Sequence, residues 1–118
     1  MAQTQQPIDP ESALPLTAAV FSILLALGAG EKHGYAIMKE VSLAEGGGIS
    51  MGPGTLYGSL DRMMSSGLVE ETGFTDDDRR RYYRITDFGD KVLRAEIGRL
   101  SKVLSAARRK GLLGSVCP

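Results

Sequence analysis

Gly52-Pro53-Gly54-Thr55-Leu56-Tyr57-Gly58-Ser59-Leu60-Asp61-Arg62-Met63-Met64-Ser65-Ser66-Gly67 reads as one helix with both ends marked. Pro53 presets the entry angle of a helix that begins around Gly54 or Thr55 and runs to Ser66, and its missing N–H costs nothing there because it would have no intrahelical partner. Leu56, Leu60 and Met63 or Met64 form an inner stripe, and Gly67 closes the helix in a left-handed conformation. The exposed side then carries Thr55, Tyr57 or Gly58, Ser59, Arg62 and Ser66. Its small residues would let the helix backbone approach another molecule closely.

Upstream, two more helices are expected. Pro15 suits the first turn of one running from about Leu16 to Leu27, with Ala19, Val20, Ile23, Leu24 and Leu27 inward and Gly28 and Gly30 ending it. A second runs from Gly34 to Ala44 on the narrow stripe Tyr35, Met38 and Val41, with Ile37 close by. His33 precedes it, and the ring of Tyr35 is expected in the core. Gly46-Gly47-Gly48 lacks the Lys-Ser/Thr and the preceding strand of a phosphate-binding loop, so it reads as a plain connection.

Downstream, Leu68 to Phe74 and Arg79 to Ile85 read as two strands around the turn Thr75-Asp76-Asp77-Asp78. Alternation places Tyr83 and Ile85 on one face and Arg80, Tyr82 and Arg84 on the other. Thr86 then caps a helix that continues to about Lys110, with Asp87 favourable in its first turn. Leu93, Ile97, Leu100, Leu104 and Ala107 recur at alternating steps of four and three. That spacing is a seam for another helix and is narrower than a core-facing stripe.

The predicted fold is therefore mainly α with a small β-hairpin: a winged helix-turn-helix plus a long C-terminal dimerisation helix. The expected divisions are a flexible arm over 1–13, a DNA-binding domain over 14–85, a dimerisation helix over 86–113 and a tail over 114–118. In helix-turn-helix geometry the second helix of the pair, here the Pro53 helix, enters the major groove. Thr55, Tyr57, Ser59 and Arg62 are its candidate DNA-binding residues. In the wing, Arg79, Arg80 and Arg81 can pair with phosphates or enter a narrow minor groove. They can also pair with Asp76, Asp77 and Asp78 of the same hairpin, and both readings hold if DNA displaces the carboxylates.

Charge supports a polyanionic partner once the chain is divided. The 118 residues sum to zero, yet residues 1–78 hold 3 Lys/Arg against 11 Asp/Glu, a net −8, and residues 79–118 hold 11 against 3, a net +8. A solvated basic helix surface would give the same asymmetry. Hydrophobic residues make up 42% and charged residues 24%, which suits one soluble domain with its own core. The lone Cys117 makes no internal disulfide, so a reducing cytoplasm is expected. No signal peptide or membrane segment is read, since Leu16 to Ala29 is too short to span a bilayer. One histidine and one distant cysteine form no metal constellation, and no cofactor is expected. No nucleophile–base set or paired carboxylates in an apolar setting stand out, so an enzyme is not expected. A winged helix used to bind an acidic protein is the remaining alternative.

The run His33-Gly34-Tyr35, Gly52-Pro53-Gly54-Thr55-Leu56-Tyr57, Gly67-Leu68-Val69-Glu70, and Arg80-Arg81-Tyr82-Tyr83-Arg84-Ile85-Thr86 with Gly89 resembles the PadR family of bacterial transcription regulators. The likeness covers about residues 14 to 113. It implies a homodimeric repressor of a detoxification or efflux gene, built with one dimerisation helix and sometimes released by a small aromatic or drug-like molecule. Position 58 is Gly where many members carry Pro, and Asp61 stands where Lys or Arg is frequent. The chain has no Trp to carry over from members that stack flat drugs between tryptophans.

Leu93, Ile97, Leu100 and Leu104 are the expected dimerisation residues, each worth on the order of 1.5–3 kcal/mol when buried, before association costs. A palindromic site follows from an isologous interface. An effector, if used, is expected between the first and last helices, with Phe21, Leu24, Phe88, Val92 and Glu96 as its lining and an aromatic ring as the stacking face.

Overall fold

The computed structural model describes residues 9–73 and 81–113. Four α-helices stand among them: α1 Ala18–Leu27, α2 Gly34–Ser42, α3 Pro53–Ser65 and α4 Asp87–Arg109. Three short strands, β1 Lys32–His33, β2 Val69–Glu71 and β3 Tyr82–Ile85, form an antiparallel sheet in the order β1-β3-β2. Its register pairs Lys32 with Tyr83 and Glu70 with Arg84. A hairpin alone was expected. The added strand β1 fills the step between α1 and α2 and ties the helices to the wing.

α1 starts later than its proline suggests. Thr17 is the cap, its hydroxyl accepting the Val20 N–H at 3.2 Å, so Pro15 and Leu16 lie outside the helix. His33 caps α2 in the same manner, Nδ1 accepting the Ala36 N–H at 3.3 Å. That helix stops at Ser42, two residues short of the expected end, and a 3₁₀ turn over Ala44–Gly46 follows. A Cβ at Gly46 would strike the Glu40 carbonyl, which is why glycine stands there. A second 3₁₀ turn, Pro10–Ala13, lies against α4, so part of the expected flexible arm is folded.

α3 closes as its sequence requires. Gly67 has φ +81°, its N–H bonds the Met64 carbonyl at 3.1 Å, and the Leu68 N–H bonds that of Met63 at 2.9 Å. Thr86 caps α4 by accepting the Gly89 N–H at 2.9 Å, and its hydroxyl donates to the Gly67 carbonyl at 2.6 Å. A Cβ at Gly89 would strike the Leu68 carbonyl, so the first turn of α4 sits directly on the end of α3. The core joins Ile23, Leu24 and Leu27 of α1, Ile37 and Val41 of α2, Leu56, Leu60 and Met63 of α3, Val69 and Tyr83 of the sheet, and Val92 and Leu93 of α4. Among the described residues no helix is long and apolar enough to cross a membrane.

Candidate nucleic-acid interface

The N-terminal turn of α3 is open. Gly52, Pro53, Gly54 and Thr55 are exposed, and no side chain caps the helix at Gly52. Tyr57, 41% exposed, leans its ring on Gly34, where a Cβ would collide with the phenol. That close approach seats α3 on the start of α2, and the Tyr57 ring also lies 6.5 Å from that of Tyr83. Arg62 is exposed, and Nη2 donates to Ser59 Oγ at 3.3 Å.

Ser59 itself belongs to the inner face. It is buried, one helical turn beyond Leu56, so its expected place on the exposed side is corrected. Spacing already held this answer, since positions 56, 59, 60 and 63 fall on one stripe. Tyr35 is corrected in the opposite sense. At 60% exposed it stands outside the core, with Lys39 Nζ 5.5 Å from its ring centre. Gly34, Ile37 and Val41 take the inward positions of α2 instead.

Arg79 and Arg80 lie outside the described residues, as do the aspartates of the turn. Arg81 is exposed, with Nε 3.6 Å from Glu71 Oε2. Arg84, not singled out from sequence as a contact residue, is also exposed and donates from Nε to Glu70 Oε2 at 2.6 Å. The cause is register, since Glu70 and Arg84 are directly opposed. This hydrogen bond and the Glu70 charge raise the Arg84 pKa above its ordinary value. The carboxylates beside these two arginines therefore come from β2. Below them Tyr83 is buried, and burial, with Glu71 adding to it, pushes its hydroxyl up from the ordinary 10.0.

On α4 the expected seam divides. Leu93 is buried within this chain's own core and is withdrawn from the seam. Ile97 is 42% and Leu104 50% exposed, and Leu100 is half-buried. Val103, 53% exposed and one turn beyond Leu100, extends this apolar face, and Leu112 lies exposed after the helix. Spacing could have found Val103.

The expected effector lining is corrected too. Leu24, Val92 and Glu96 are closed inside the protein, because α1 and α4 pack directly on each other. Phe21 and Phe88 are half-buried. Phe88 instead lines an open groove of about 470 Å³ with Ala13, Pro15, Leu16, Val20 and Leu68. Glu96 is held by both carboxylate oxygens. Arg99 donates to Oε1 at 2.6 Å and to Oε2 at 2.9 Å, and the Leu16 N–H reaches Oε2 at 3.2 Å. The hydrogen bonds from Arg99 hold this carboxyl below the ordinary 4.5, outweighing the effect of burial.

Three helices joined to a small wing, with a long helix trailing behind, define a winged helix-turn-helix protein. Residues 23–95 match the Transcriptional regulator PadR-like family. The RosR protein of H. salinarum, in a structure grown from NaBr, is 34% identical with TM-score 0.62, over 80% of this chain and 79% of that one. In the complex hsRosR-S4 the values are 32% and 0.70, over 92% of each chain. Bacillus subtilis PadR in complex with operator DNA shares the fold, with TM-score 0.60 and 22% identity over 69% of this chain and 47% of that one. An uncharacterized 37.1 kDa protein in a transposon of Streptomyces fradiae is 34% identical over 84 residues, and the chain spans 22% of its length. The chain belongs to the PadR-like family of transcriptional regulators, and it is a regulator rather than an enzyme.

Proposed function

We propose that this protein binds a palindromic duplex DNA site as a homodimer and represses transcription in the cytoplasm. Residues 14–85 read DNA and residues 86–113 dimerise. The observation that carries this reading is the open first turn of α3, where Gly52, Gly54 and Thr55 present an exposed helix end beside Tyr57. Such an end accepts the close approach of a nucleic-acid backbone, and its N–H groups and hydroxyls suit phosphate oxygens and base edges. Thr55, Tyr57 and Arg62 are the proposed contacts in the major groove, with Ser59 holding Arg62. Arg81 and Arg84 join Arg79 and Arg80 as the proposed wing contacts, exchanging Glu71 and Glu70 for phosphates. The likeness to a PadR solved with operator DNA supports the geometry of this reading. A small aromatic effector fits the open groove at Phe88 better than the closed core at Val92.

The test is selection of duplexes from a random pool, followed by titration of the enriched sequence at several salt concentrations. Arg81→Ala and Arg84→Ala should weaken binding to all duplexes and lower the salt slope by about one per lost phosphate contact. Thr55→Ala should narrow the gap between selected and random DNA. Failure to bind any duplex, with salt-dependent binding to an acidic protein instead, would leave the fold as a protein-association module.

A further inference from the structure

Glu96 stands where α4 leaves the body of the protein. Just before it, Val92 and Leu93 pack in the core, and just after it Ile97 is exposed. At this point three things meet: a carboxylate that is only 2% exposed, the Arg99 guanidinium on both of its oxygens, and the backbone N–H of Leu16. Leu16 belongs to the lead-in of α1, and the neighbouring turn Pro10–Ala13 also rests on α4. The contact joins residues 80 apart in the chain. Glu96 and Arg99 both lie on α4, one turn apart, so the guanidinium compensates and orients the buried carboxylate while the Leu16 N–H is the bond that crosses to the lead-in of α1.

Leverage makes the location matter. From Glu96 to the end of α4 is about 20 Å of helix, so a tilt of about 10° at Glu96 moves the far end by about 3–4 Å. One base-pair step is ~3.4 Å. We propose that the Glu96–Arg99–Leu16 junction fixes the angle at which α4 leaves the winged-helix domain, and thereby sets the half-site spacing that the dimer accepts. Glu96 is in this sense a positioning residue for specificity and touches no DNA. The inference rests on the dimeric DNA-binding reading above.

The experiment uses the full chain and duplexes built from a site selected by the wild-type protein, with the distance between half-sites varied one base pair at a time. Wild-type protein should disfavour each mis-spaced site by roughly tenfold or more. Glu96→Gln keeps an acceptor for Leu16 but loses the charge pair, and it should flatten that preference to about threefold while affinity for a single half-site stays unchanged. Arg99→Gln, at a side chain 39% exposed and outside the core, supplies a second variant that does not depend on a buried substitution. It should flatten the preference likewise, with sedimentation showing an intact dimer for both. Folded dimeric variants that keep the wild-type spacing profile, with or without a uniform loss of affinity, overturn the inference. A wild-type chain that is monomeric or binds no duplex overturns the dimeric reading first and this inference with it.

Discussion

The two halves of α4 are one continuous helix with opposite surroundings. From Asp87 to Glu96, Gly89, Val92, Leu93 and Glu96 are all buried. From Ile97 to Arg109 no residue is buried, and the apolar side chains Ile97, Val103 and Leu104 face solvent. One four-and-three spacing runs from Leu93 in the first half through Ile97, Leu100 and Leu104 in the second, so periodicity marks an apolar stripe without saying what covers it. The first half has α1 and the sheet to lie on; the second extends past them and is only partly covered, with Leu100 half-buried and no residue closed off from solvent. Ile97, Leu100, Val103 and Leu104 together make an exposed apolar face that a second copy of the chain would cover.

The largest expected effect separates the halves directly. Leu93→Ala should cost about 2–5 kcal/mol of stability, the range for an apolar side chain removed from a closed core. Denaturant midpoints would show it at any protein concentration. Leu104→Ala should leave the monomer's stability nearly unchanged and act through association alone. Equal losses for the two at low protein concentration would mean that the second half is packed as tightly as the first.

A double change, Ile97→Lys with Leu104→Glu, comes next. Burial of two such side chains per subunit contributes several kcal/mol, so the dimer should weaken by at least about a hundredfold while the far-ultraviolet helix signal is retained. Sedimentation would read the mass. An unchanged dimer would place the interface on another surface.

Most of what determines these outcomes was legible where the determinant is local. Gly67 and Thr86 act on their own turns of helix and mark boundaries that the structure shares, while Pro53 is itself the first residue of α3, just ahead of the expected start at Gly54 or Thr55. The three-helix-and-wing order, and the open end of α3, follow from those boundaries. What escaped reading depends on distant neighbours. β1 has two residues and exists only because β3 offers it an edge. Glu96 reads from sequence as facing α1 across an effector site, and only the Leu16 N–H, 80 residues away in the chain, shows that its carboxylate is closed inside the protein instead. Leu93 and Leu104 are equivalent in sequence, and only the reach of α1 distinguishes them. Ser59 and Tyr35 are different: the stripes of α3 and α2 contained the answer, and small size and aromaticity were poorer guides than helical position.

The junction between the halves should also respond to acid. Because the folded protein holds the Glu96 carboxyl below its ordinary 4.5, the charged pair favours folding in full above that pH. That contribution disappears as pH falls through the lowered value, where the folded state must take up the proton. Glu96→Gln should therefore be less stable than wild type at neutral pH, and the difference should shrink on acidification below 4.5. Thermal midpoints at a series of pH values would measure it. A gap that stays constant to pH 3 would assign the effect of the substitution to packing.

The smallest expected effect concerns charge in the second half of α4. Arg99, Lys102, Arg108 and Arg109 lie there, and between Ile97 and Arg109 there is no Asp or Glu. Pairing two such segments about a two-fold axis brings like charges together, which opposes the apolar contact without cancelling it. Arg99 is already neutralised by Glu96 on its own chain, leaving Lys102, Arg108 and Arg109 to repel their counterparts. Added salt shortens the range of that repulsion from ~10 Å at 0.1 M to ~3 Å at 1 M. The dimer should therefore tighten with salt, by about two- to fivefold over that interval, since exposed charges are individually weak. DNA binding should move the opposite way over the same interval, because phosphate contacts are lost as salt rises. Sedimentation equilibrium of the protein without DNA, at the two salt concentrations, isolates the first effect. A dimer that loosens with salt would mean that ion pairs between subunits hold the interface, and would require acidic residues outside this half of α4 to reach across to it.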